Sequence, residues 1–333
     1  MNQSWRPGAS LATLRKRARI NQLLRTVSEQ RGWLEIDPPV IIDADAFESG
    51  IELIHTYDAL NACANSLHSS PELALKRVLA AYPQLPGVYS LGPVFRAGES
   101  GRLHNPQFTL FEFYQTQVDL SQIIETTLDL ILTVTSDQKA KTPPIVRWDY
   151  AELLAEYCQL SADQVYHAPA TELAKTGKRL GINVSADIAL NRDDWLNLLL
   201  THIVEPTFPG EQLTLITGFP ESQAAMAKTQ YDSIAGMRIE RACRFELYGG
   251  QMELANGYQE LTCPKRQRAR LSATQKPPST HKTSNQSLNR FMSALEHGLP
   301  ESCGVALGVE RLLLWLSGNQ HIDAVMAFSH NRR

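Results

Sequence analysis

The chain has 333 residues, enough for a large core in about two compact units. Its 43% hydrophobic and 20% charged residues are typical of a soluble globular protein, and its net charge of −3 argues against broad coating of nucleic acid. No apolar run approaches the roughly 20 residues that a membrane span requires. We therefore expect a protein without a membrane partner.

The N-terminus and the cysteines suggest a compartment. The first ten residues lack the apolar core of a secretory signal. The cysteines are scattered, odd in number and never arranged as CxxC, which favours small buried thiols in a reducing cytoplasm over a disulfide framework or a zinc site. They are Cys63, Cys158, Cys243, Cys263 and Cys303.

The first elements along the chain are a helix and two short strands. Residues 10–31 place apolar side chains near helical spacing opposite an arginine-rich face, and Gly32 is expected to end the helix. Residues 33–36 and 40–42 predict strands on either side of an Asp-Pro-Pro sequence. This order can build a packing edge for a dimer.

Residues 69–79 predict the start of a second helix. A serine is expected at the N-cap, Pro71 at the first helical position and Glu72 in the first turn. From these residues alone, the preferred interpretation of Glu72 is a favourable interaction with the helix dipole.

Residues 88–114 predict two antiparallel strands joined by a long polar loop, because period-two alternation returns after residues 97–106. The alternation puts Glu112 on the same face as Phe108 and Tyr114. A carboxylate in the middle of a sheet face needs a cation or hydrogen-bond donors to offset its desolvation.

The loop in this hairpin carries cationic side chains beside glycines that permit close approach of a ligand, namely Arg96, Arg102 and His104. One interpretation is a site that takes an anion at the loop and a cation at Glu112. The alternative is a hairpin with a solvated charged loop and a surface glutamate.

The middle of the chain is predicted to be helical. Residues 119–135 form an amphipathic pattern, and residues 139–144 have the composition of a linker. The polar-faced helical pattern at about 148–206 contains no reactive constellation. We interpret it as a helical insertion with a structural role.

Strand patterns return at residue 213. Glu246 and Glu253 lie in neighbouring strand-like segments, and Gly249 and Gly250 can form a turn that brings both carboxylates together. Facing carboxylates repel unless a cation lies between them, and Mg²⁺ held with substrate phosphates is the obvious candidate.

The C-terminal part contains a basic segment and a strand of small residues. Residues 264–287 predict a flexible basic loop, with a patch for a nucleic acid or an acidic partner as the alternative. Residues 288–297 predict a short helix. Residues 304–308 predict a strand against which a flat ligand can lie, with Arg311 at the start of the next helix for stacking or phosphate contact.

Together these segments resemble the three motifs of class II aminoacyl-tRNA synthetases, and most closely those of the lysine enzymes. The similar segments are residues 70–77 (SPELALKR), 104–109 (HNPQFT), 244–261 (RFELYGGQMELANGYQEL) and 304–312 (GVALGVERL). The resemblance spans nearly the whole chain. It implies an α+β fold, an antiparallel sheet flanked by helices, with residues 1–333 as one catalytic domain, ATP as a substrate and homodimerisation through the first motif.

Two features are similar to a family of short lysyl-tRNA synthetase paralogues that attach (R)-β-lysine to a lysine side chain of elongation factor P. The catalytic pattern begins within about the first 40 residues, so we expect no anticodon-binding domain and no tRNA substrate. Ala306 stands where the synthetases have a glycine, and a methyl group there is a physically sensible way to favour a β-amino acid over α-lysine. Residues 219–224 (FPESQA) also match.

The resemblance also implies roles for individual residues. Those implied to bind ATP are Arg96, Glu99, Arg102, His104, Phe108 and Arg311, with Arg96 and Arg311 acting in catalysis and Phe108 and Arg311 enclosing the adenine. Those implied to bind the amino acid are Glu72, Glu112, Tyr114, Asn256, Glu260 and Ala306. Glu246 and Glu253 are implied to hold Mg²⁺.

The sequence departs from the family pattern at three positions, which keeps other functions open. Gly98 stands where the family has a glutamate that reads adenine, with Glu99 beside it; Gln107 replaces a glutamate, and Cys263 replaces an acidic residue. The alternatives are a divergent paralogue with altered or lost activity that acts as a binding protein, and a synthetase-like enzyme that activates α-lysine.

Overall fold

The structure, a computed structural model, describes residues 5–43, 50–58, 63–138, 140–185, 187–274 and 285–332. The chain divides into two compact units. The first unit comprises Met1–Thr142 and Gln259–Arg333, and the second comprises Pro143–Tyr258.

The helices and strands have the following bounds. The helices are α1 (Leu11–Gln30), α2 (Glu72–Ala81), α3 (Leu120–Asp137), α4 (Tyr150–Cys158), α5 (Ala162–His167), α6 (Ala170–Arg179), α7 (Arg192–Leu199), α8 (Pro264–Thr274), α9 (Gln286–Gly298) and α10 (Val309–Ser317). The strands are β1 (Leu34–Glu35), β2 (Ile41–Ile42), β3 (His55–Asp58), β4 (Cys63–Leu67), β5 (Gly87–Phe95), β6 (Gln107–Thr116), β7 (Ile145–Asp149), β8 (Leu213–Thr217), β9 (Thr229–Ile234), β10 (Met237–Ala242), β11 (Arg244–Gly249), β12 (Met252–Gln259) and β13 (Ser302–Gly308). A π-helical turn at Leu200–Val204 and 3-10 turns at Glu205–Thr207, Glu221–Gln223, Ile322–Ala324 and His330–Arg332 complete the secondary structure of the described residues.

Helix α1 matches the prediction for residues 10–31. Ser10 caps its start by accepting a hydrogen bond from the Thr13 backbone N–H at 3.1 Å. Gly32 follows its end with a φ of +72°, a left-handed conformation that glycine adopts without strain. Ile20, Leu24 and Val27 form its buried face.

The larger sheet of the first unit has the strand order β1-β5-β6-β13. Strands β5 and β6 pair antiparallel from Gly87 opposite Gln115 to Phe95 opposite Gln107, which confirms the predicted hairpin with its long loop. Strand β13 pairs antiparallel with β6, whereas β1 pairs parallel with β5. The expectation of an antiparallel sheet therefore holds for the central strands and is wrong for the edge strand. Strands β2, β4 and β3 form a separate antiparallel sheet.

In the second unit, four strands have the order β12-β11-β8-β7, and β7 is parallel to β8. Strands β9 and β10 form a separate hairpin. Helices α4 to α7 occupy most of the segment predicted as helical at 148–206, but residues 148–149 belong to β7. Tyr150 and Phe219 pack in the core of the second unit with ring centroids 4.7 Å apart. Whether this segment is an insertion stays a prediction.

Two local predictions need correction. Residues 264–274 of the predicted basic loop form helix α8, which buries Gln267 and Leu271, spaced four apart, and exposes Lys265, Arg266 and Arg268. Residues 275–284 of that segment lie outside the described residues. Helix α2 begins at Glu72, one residue later than predicted, with Pro71 at the N-cap.

Two predictions drawn from composition can be compared with the fold. No helix within the described residues is long and apolar enough to cross a membrane. The cysteines with described side chains are free thiols, of which Cys158, Cys243 and Cys303 are buried and Cys263 is exposed. The expectation of small buried thiols is therefore confirmed for three of these four positions and is wrong for Cys263.

Candidate active site

The carboxylate of Glu112 lies in the middle of strand β6, where Ser90 and Ala306 are its cross-strand neighbours. It is only 3% exposed. The Ser70 hydroxyl donates a hydrogen bond to its Oε2 at 2.8 Å, and the Tyr114 hydroxyl donates to its Oε1 at 2.9 Å. The predicted face is thus buried, and hydrogen-bond donors offset part of the desolvation of Glu112.

Two further carboxylates, those of Glu72 on α2 and Glu260, are also buried near Tyr114. Burial raises the pKa of the Tyr114 phenol well above its ordinary value, and the charges of Glu112, Glu72 and Glu260 raise it further. Gly304, opposite Tyr114 on β13, provides the necessary space. A Cβ atom at Gly304 would overlap the Tyr114 ring and lie 2.7 Å from Glu260 Oε1. Three carboxylates therefore converge on one tyrosine.

A lysine that the sequence analysis did not select lies among these carboxylates. The Nζ of Lys76 is 2.5 Å from Glu72 Oε1 and also forms an ion pair with Glu260 Oε2. Its ammonium lies over the Tyr114 ring, 5.7 Å from the centroid, and over the Phe291 ring at 5.9 Å. Burial alone lowers the pKa of Lys76, but the Glu260 and Glu72 carboxylates outweigh burial and raise it above its ordinary value.

Glu260 is fully buried, and its ionisation is finely balanced. Burial raises its pKa to about 7, with the Glu72 charge adding to the effect, although Lys76 opposes it. Lys76 therefore holds Glu260 closer to its charged form than burial and Glu72 would allow. The three carboxylates and the one ammonium have a net charge of −2 when all are ionised.

The loop between β5 and β6 presents a second group of side chains in the first unit. The Arg96 guanidinium lies over the Phe108 ring, 5.1 Å from its centroid, and is 3.5 Å from Glu99 Oε1. The Arg96 backbone N–H donates to Pro106 O at 2.9 Å and closes the loop. Arg96, Glu99 and Phe108, predicted from the sequence as one group, therefore do lie together.

The other cationic residues predicted at this loop have distinct partners. Arg311, in the first turn of α10, is 2.9 Å from His104 Nε2 through its Nη2. Arg102 instead donates to Gln320 O at 3.1 Å and is exposed. The structure thus joins His104 to Arg311 and directs Arg102 towards the turn after α10.

A buried ion pair that the sequence analysis missed connects helix α1 to this group. The Glu310 carboxylate is 2% exposed and lies 2.7 Å from Arg17 Nη2. It also accepts the Thr109 backbone N–H at 2.9 Å, while Arg17 donates to the Thr109 hydroxyl at 2.6 Å. Arg17, Thr109 and Glu310 thus form a hydrogen-bonded triad. Because Thr109 follows Phe108 and Glu310 precedes Arg311, the triad holds the backbone next to both residues predicted to contact adenine.

In the second unit, Glu246 is buried on β11, where Asn256 of β12 is its cross-strand neighbour. The Tyr248 hydroxyl donates to Glu246 Oε2 at 2.7 Å, and Arg244 forms an ion pair with Oε1. Burial raises the pKa of Glu246, as does the nearby charge of Glu253, while Arg244 and Tyr248 oppose these effects.

The predicted hairpin at Gly249 and Gly250 is confirmed, since β11 pairs antiparallel with β12. A register shift after Leu247 places Glu253 opposite Tyr248 rather than opposite Glu246. The two carboxylates are therefore electrostatic neighbours but not a directly facing pair.

Comparison with known proteins gives the family. A family model for class II tRNA synthetases (D, K and N) matches residues 4–332. The chain belongs to this family. Its curated relatives include chains named elongation factor P–(R)-β-lysine ligase from Proteus mirabilis (34% identical, covering 97% of each chain), Edwardsiella ictaluri (34%, 99% of this chain and 98% of the relative) and Vibrio cholerae (33%, 99% of each).

The departure of Gly98 from the class II synthetase pattern has a local structural basis. Gly98 has a φ of +75°, a conformation that strains any residue with a side chain. Glutamate at this position would therefore be disfavoured, although its Cβ would meet no atom within 4 Å. Glu99 contacts Arg96 from the next position, so an acidic side chain is retained in this loop.

A Mg²⁺ ion at Glu246 and Glu253 stays a prediction, and the side chains present are compatible with one. Mg²⁺ commonly binds through one or two carboxylates together with substrate phosphates and water. Glu253 raises the pKa of buried Glu246 through its charge, so a cation between them would relieve repulsion. Arg244, which forms an ion pair with Glu246 Oε1, supplies part of this compensation.

The structure therefore sorts the predicted residues into local groups. The first unit holds the carboxylate cluster with Tyr114 and Ala306, the Arg96 group and the Arg311–His104 pair, whereas Glu246, Glu253 and Asn256 belong to the second unit. Lys76 could have been found by its i,i+4 spacing from Glu72 on one helix face. Arg17 carried no comparable signal, because its partners are 92 and 293 positions away.

Proposed function

We propose that this protein is an ATP-dependent ligase that adenylates (R)-β-lysine and transfers it to a lysine side chain of translation elongation factor P. Similarity over nearly the full length to relatives named elongation factor P–(R)-β-lysine ligase carries the proposal. The buried carboxylate cluster is chemically consistent with it, because a substrate with two ammonium groups needs a pocket of net negative charge.

The amino acid would be recognised by charge and by shape. Glu112, Tyr114 and Glu260 would receive the ε-ammonium, Glu72 the other amino group and, in the second unit, Asn256 the carboxylate. Ala306, the cross-strand neighbour of Glu112, would contribute a methyl group on the same face as that carboxylate and so favour a β-amino acid.

The nucleotide would be held by the cationic loop and helix α10. Arg96 would contact the α-phosphate and the substrate carboxylate through a guanidinium suited to two parallel hydrogen bonds. Phe108 and Arg311 would enclose the adenine, Glu99 would read its amino group, and Arg102 and His104 would contact the outer phosphates. Arg102 would have to leave Gln320 to do so.

The first step would be an in-line attack of the amino acid carboxylate on the α-phosphorus of ATP. A new bond forms between carboxylate oxygen and phosphorus, the bond to the β-phosphate breaks, and pyrophosphate leaves with the electron pair. This reaction depends on positioning and charge neutralisation more than on a base. A bound Mg²⁺ at Glu246 and Glu253 would supply neutralisation of phosphate charge.

In the second step, the neutral amine of a lysine side chain on elongation factor P would attack the acyl carbon of the adenylate. An amide bond forms, AMP leaves and one proton is released. No covalent enzyme intermediate is required, so neither step needs a cysteine or serine nucleophile.

The family resemblance extends the proposal to the state of the protein in the cell. We propose a cytoplasmic homodimer that uses no tRNA, with α1 and strands β1 and β2 at the dimer contact. Leu34 and Ile41 on these strands are 49% and 59% exposed in the single chain, and such apolar side chains are suited to cover by a second copy.

The proposal is tested by ATP–pyrophosphate exchange with purified protein and Mg²⁺, comparing (R)-β-lysine, α-lysine and no amino acid. We expect exchange that depends on (R)-β-lysine. When elongation factor P is added, its own intact mass should then increase by one β-lysyl group. Replacing the acceptor lysine of elongation factor P by arginine should abolish that increase.

Other outcomes point to other functions. Exchange with α-lysine alone would indicate a synthetase-like enzyme that activates α-lysine. Absence of exchange together with absence of ATP binding would favour a paralogue that has lost its chemistry and acts as a binding protein.

Replacing Ala306 by glycine tests the source of substrate preference. Because removal of the methyl group would give room beside Glu112 for an α-amino acid, we expect Ala306→Gly to increase kcat/KM for α-lysine by about tenfold relative to (R)-β-lysine, since one methylene in a pocket contributes about 1–3 kcal/mol. Exchange kinetics with both amino acids give this ratio. An unchanged ratio would refute the assignment.

A further inference from the structure

Lys76 occupies a position that the proposed reaction does not by itself require. It lies in the amino acid pocket proposed above, its side chain is 2% exposed, and it forms ion pairs with both Glu72 and Glu260. An ammonium fully removed from water is costly unless its partners compensate. Since two of the proposed substrate-binding carboxylates provide that compensation, Lys76 and the substrate share ligands.

The net charge of the carboxylate cluster suggests a role for Lys76. When all three are ionised, Glu72, Glu112 and Glu260 would present a charge of −3, one more than the two ammonium groups of a diamino acid can neutralise. Lys76 lowers this charge to −2. The substrate's own carboxylate is assigned outside this cluster, so the two sets of charges match.

We propose that Lys76 is a positioning residue that holds Glu72 and Glu260 together and matches the charge of the pocket to a substrate with two ammonium groups. This inference rests on the proposed function and assigns to it a residue that contacts the carboxylates rather than the reacting atoms.

The same geometry makes substrate binding depend on pH. Within the described residues, the charged or titratable groups that interact with Glu260 are Lys76 and Glu72 from α2 and Tyr114 from β6, and Tyr114 in turn interacts with Glu112. Strand β13 contributes uncharged Gly304, and α9 contributes Phe291 against Lys76. Glu260 accepts an ammonium only when ionised, and its pKa is raised to about 7 even with Lys76 beside it. Removing Lys76 would raise the pKa of Glu260 further. As the pH falls, the variant would therefore lose affinity for the substrate at a higher pH than the wild type does.

The test is the KM for (R)-β-lysine in pyrophosphate exchange, measured from pH 6 to pH 9 for the wild type and Lys76→Met. For each unit by which the Glu260 pKa exceeds the assay pH, the ionised fraction of the carboxylate falls about tenfold. We expect Lys76→Met to raise KM about tenfold or more at pH 7 and to change kcat much less. The KM of the variant should return towards the wild-type value as the pH approaches 9.

Two further variants separate this role from a general loss of charge or fold. Arg77→Met removes the neighbouring positive charge on the same helix and should leave KM and its pH profile unchanged. Lys76→Arg keeps the buried charge and should retain the wild-type profile, although its larger head group raises KM; it keeps the proposal testable if Lys76→Met fails to fold. Equal pH profiles for wild type and Lys76→Met, or a displaced profile for Lys76→Arg, would overturn the proposal.

Binding calorimetry with (R)-β-lysine distinguishes this inference from the function on which it rests. A wild type that binds the diamino acid, with a Lys76→Met variant that binds equally well at every pH, would refute only the role of Lys76. A wild type that binds no diamino acid at any pH would overturn both.

Discussion

Replacing Arg96 by alanine is expected to reduce kcat/KM for pyrophosphate exchange by about 10²–10³-fold, because removing one preorganised electrostatic contact to the transition state commonly costs that much. Arg96 lies over Phe108 and against Glu99, so its guanidinium is held in place before the nucleotide binds. The proposed reaction joins two anions, the substrate carboxylate and the α-phosphate of ATP, and Arg96 is assigned to contact both.

Exchange rates at saturating and limiting ATP and amino acid would locate the loss. An effect mainly on kcat indicates a contact made in the transition state, whereas an effect on KM alone indicates uniform binding. Arg96→Lys should recover little, because an ammonium cannot form two parallel hydrogen bonds. Arg290→Ala, at an exposed arginine of α9 that donates to Gln286, is the control. Comparable activity of Arg96→Ala and Arg290→Ala would contradict the assignment.

The elements that the sequence predicted are those with strong local periodicity. Helix α1 carries an apolar face and Gly32 at its end, and the β5–β6 hairpin alternates on both sides of a polar loop, so each could be recognised without knowing what packs against it. Local pattern also placed Glu112 and Tyr114 on one buried face. It could not give the direction of edge strands, and the parallel pairing of β1 with β5 was missed.

Contacts between distant parts of the chain were beyond single-sequence reasoning. Lys76 meets Glu260 across 184 positions, and Arg17 meets Glu310 across 293. Helix α8 was taken for a loop because its buried face is narrow: Gln267 and Leu271 are buried, while Lys265, Arg266 and Arg268 face outwards. Each case depends on tertiary packing rather than on local propensity.

Removing the carboxylate of Glu310 is expected to destabilise the protein by about 3–5 kcal/mol, the usual cost of breaking a buried ion pair by deleting one partner. Glu310→Ala would leave the Thr109 backbone N–H without its acceptor and Arg17 without its carboxylate. Because the entropy of unfolding is about 2.1 cal/mol/K per residue, a chain of 333 residues loses about 1.4 °C per kcal/mol, and the melting temperature should fall by roughly 4–7 °C. Denaturant titration and calorimetry measure both quantities.

The same variant should also raise the KM for ATP, because the triad fixes Thr109 and Glu310, the residues next to Phe108 and Arg311. Replacing both charged partners, as Arg17→Met with Glu310→Leu, should recover much of the stability, since a buried pair can be exchanged for apolar side chains at little cost. It should not recover the KM, because the hydrogen bonds that orient Thr109 stay absent. A double variant that restores both stability and ATP affinity would show that the triad acts by packing alone.

A surface ion pair outside α1 provides the control. Arg268 pairs with Glu296 at 2.6 Å, with side chains 58% and 55% exposed, and pairs of this kind contribute about 0–1 kcal/mol. Arg268→Met should therefore change stability by no more than about 1 kcal/mol and leave the KM for ATP unchanged. Arg17→Met, which removes the guanidinium of the triad, should lose more stability and should also weaken ATP binding. Equal losses for the two variants would show that the Arg17–Glu310 pair contributes no more than a surface pair.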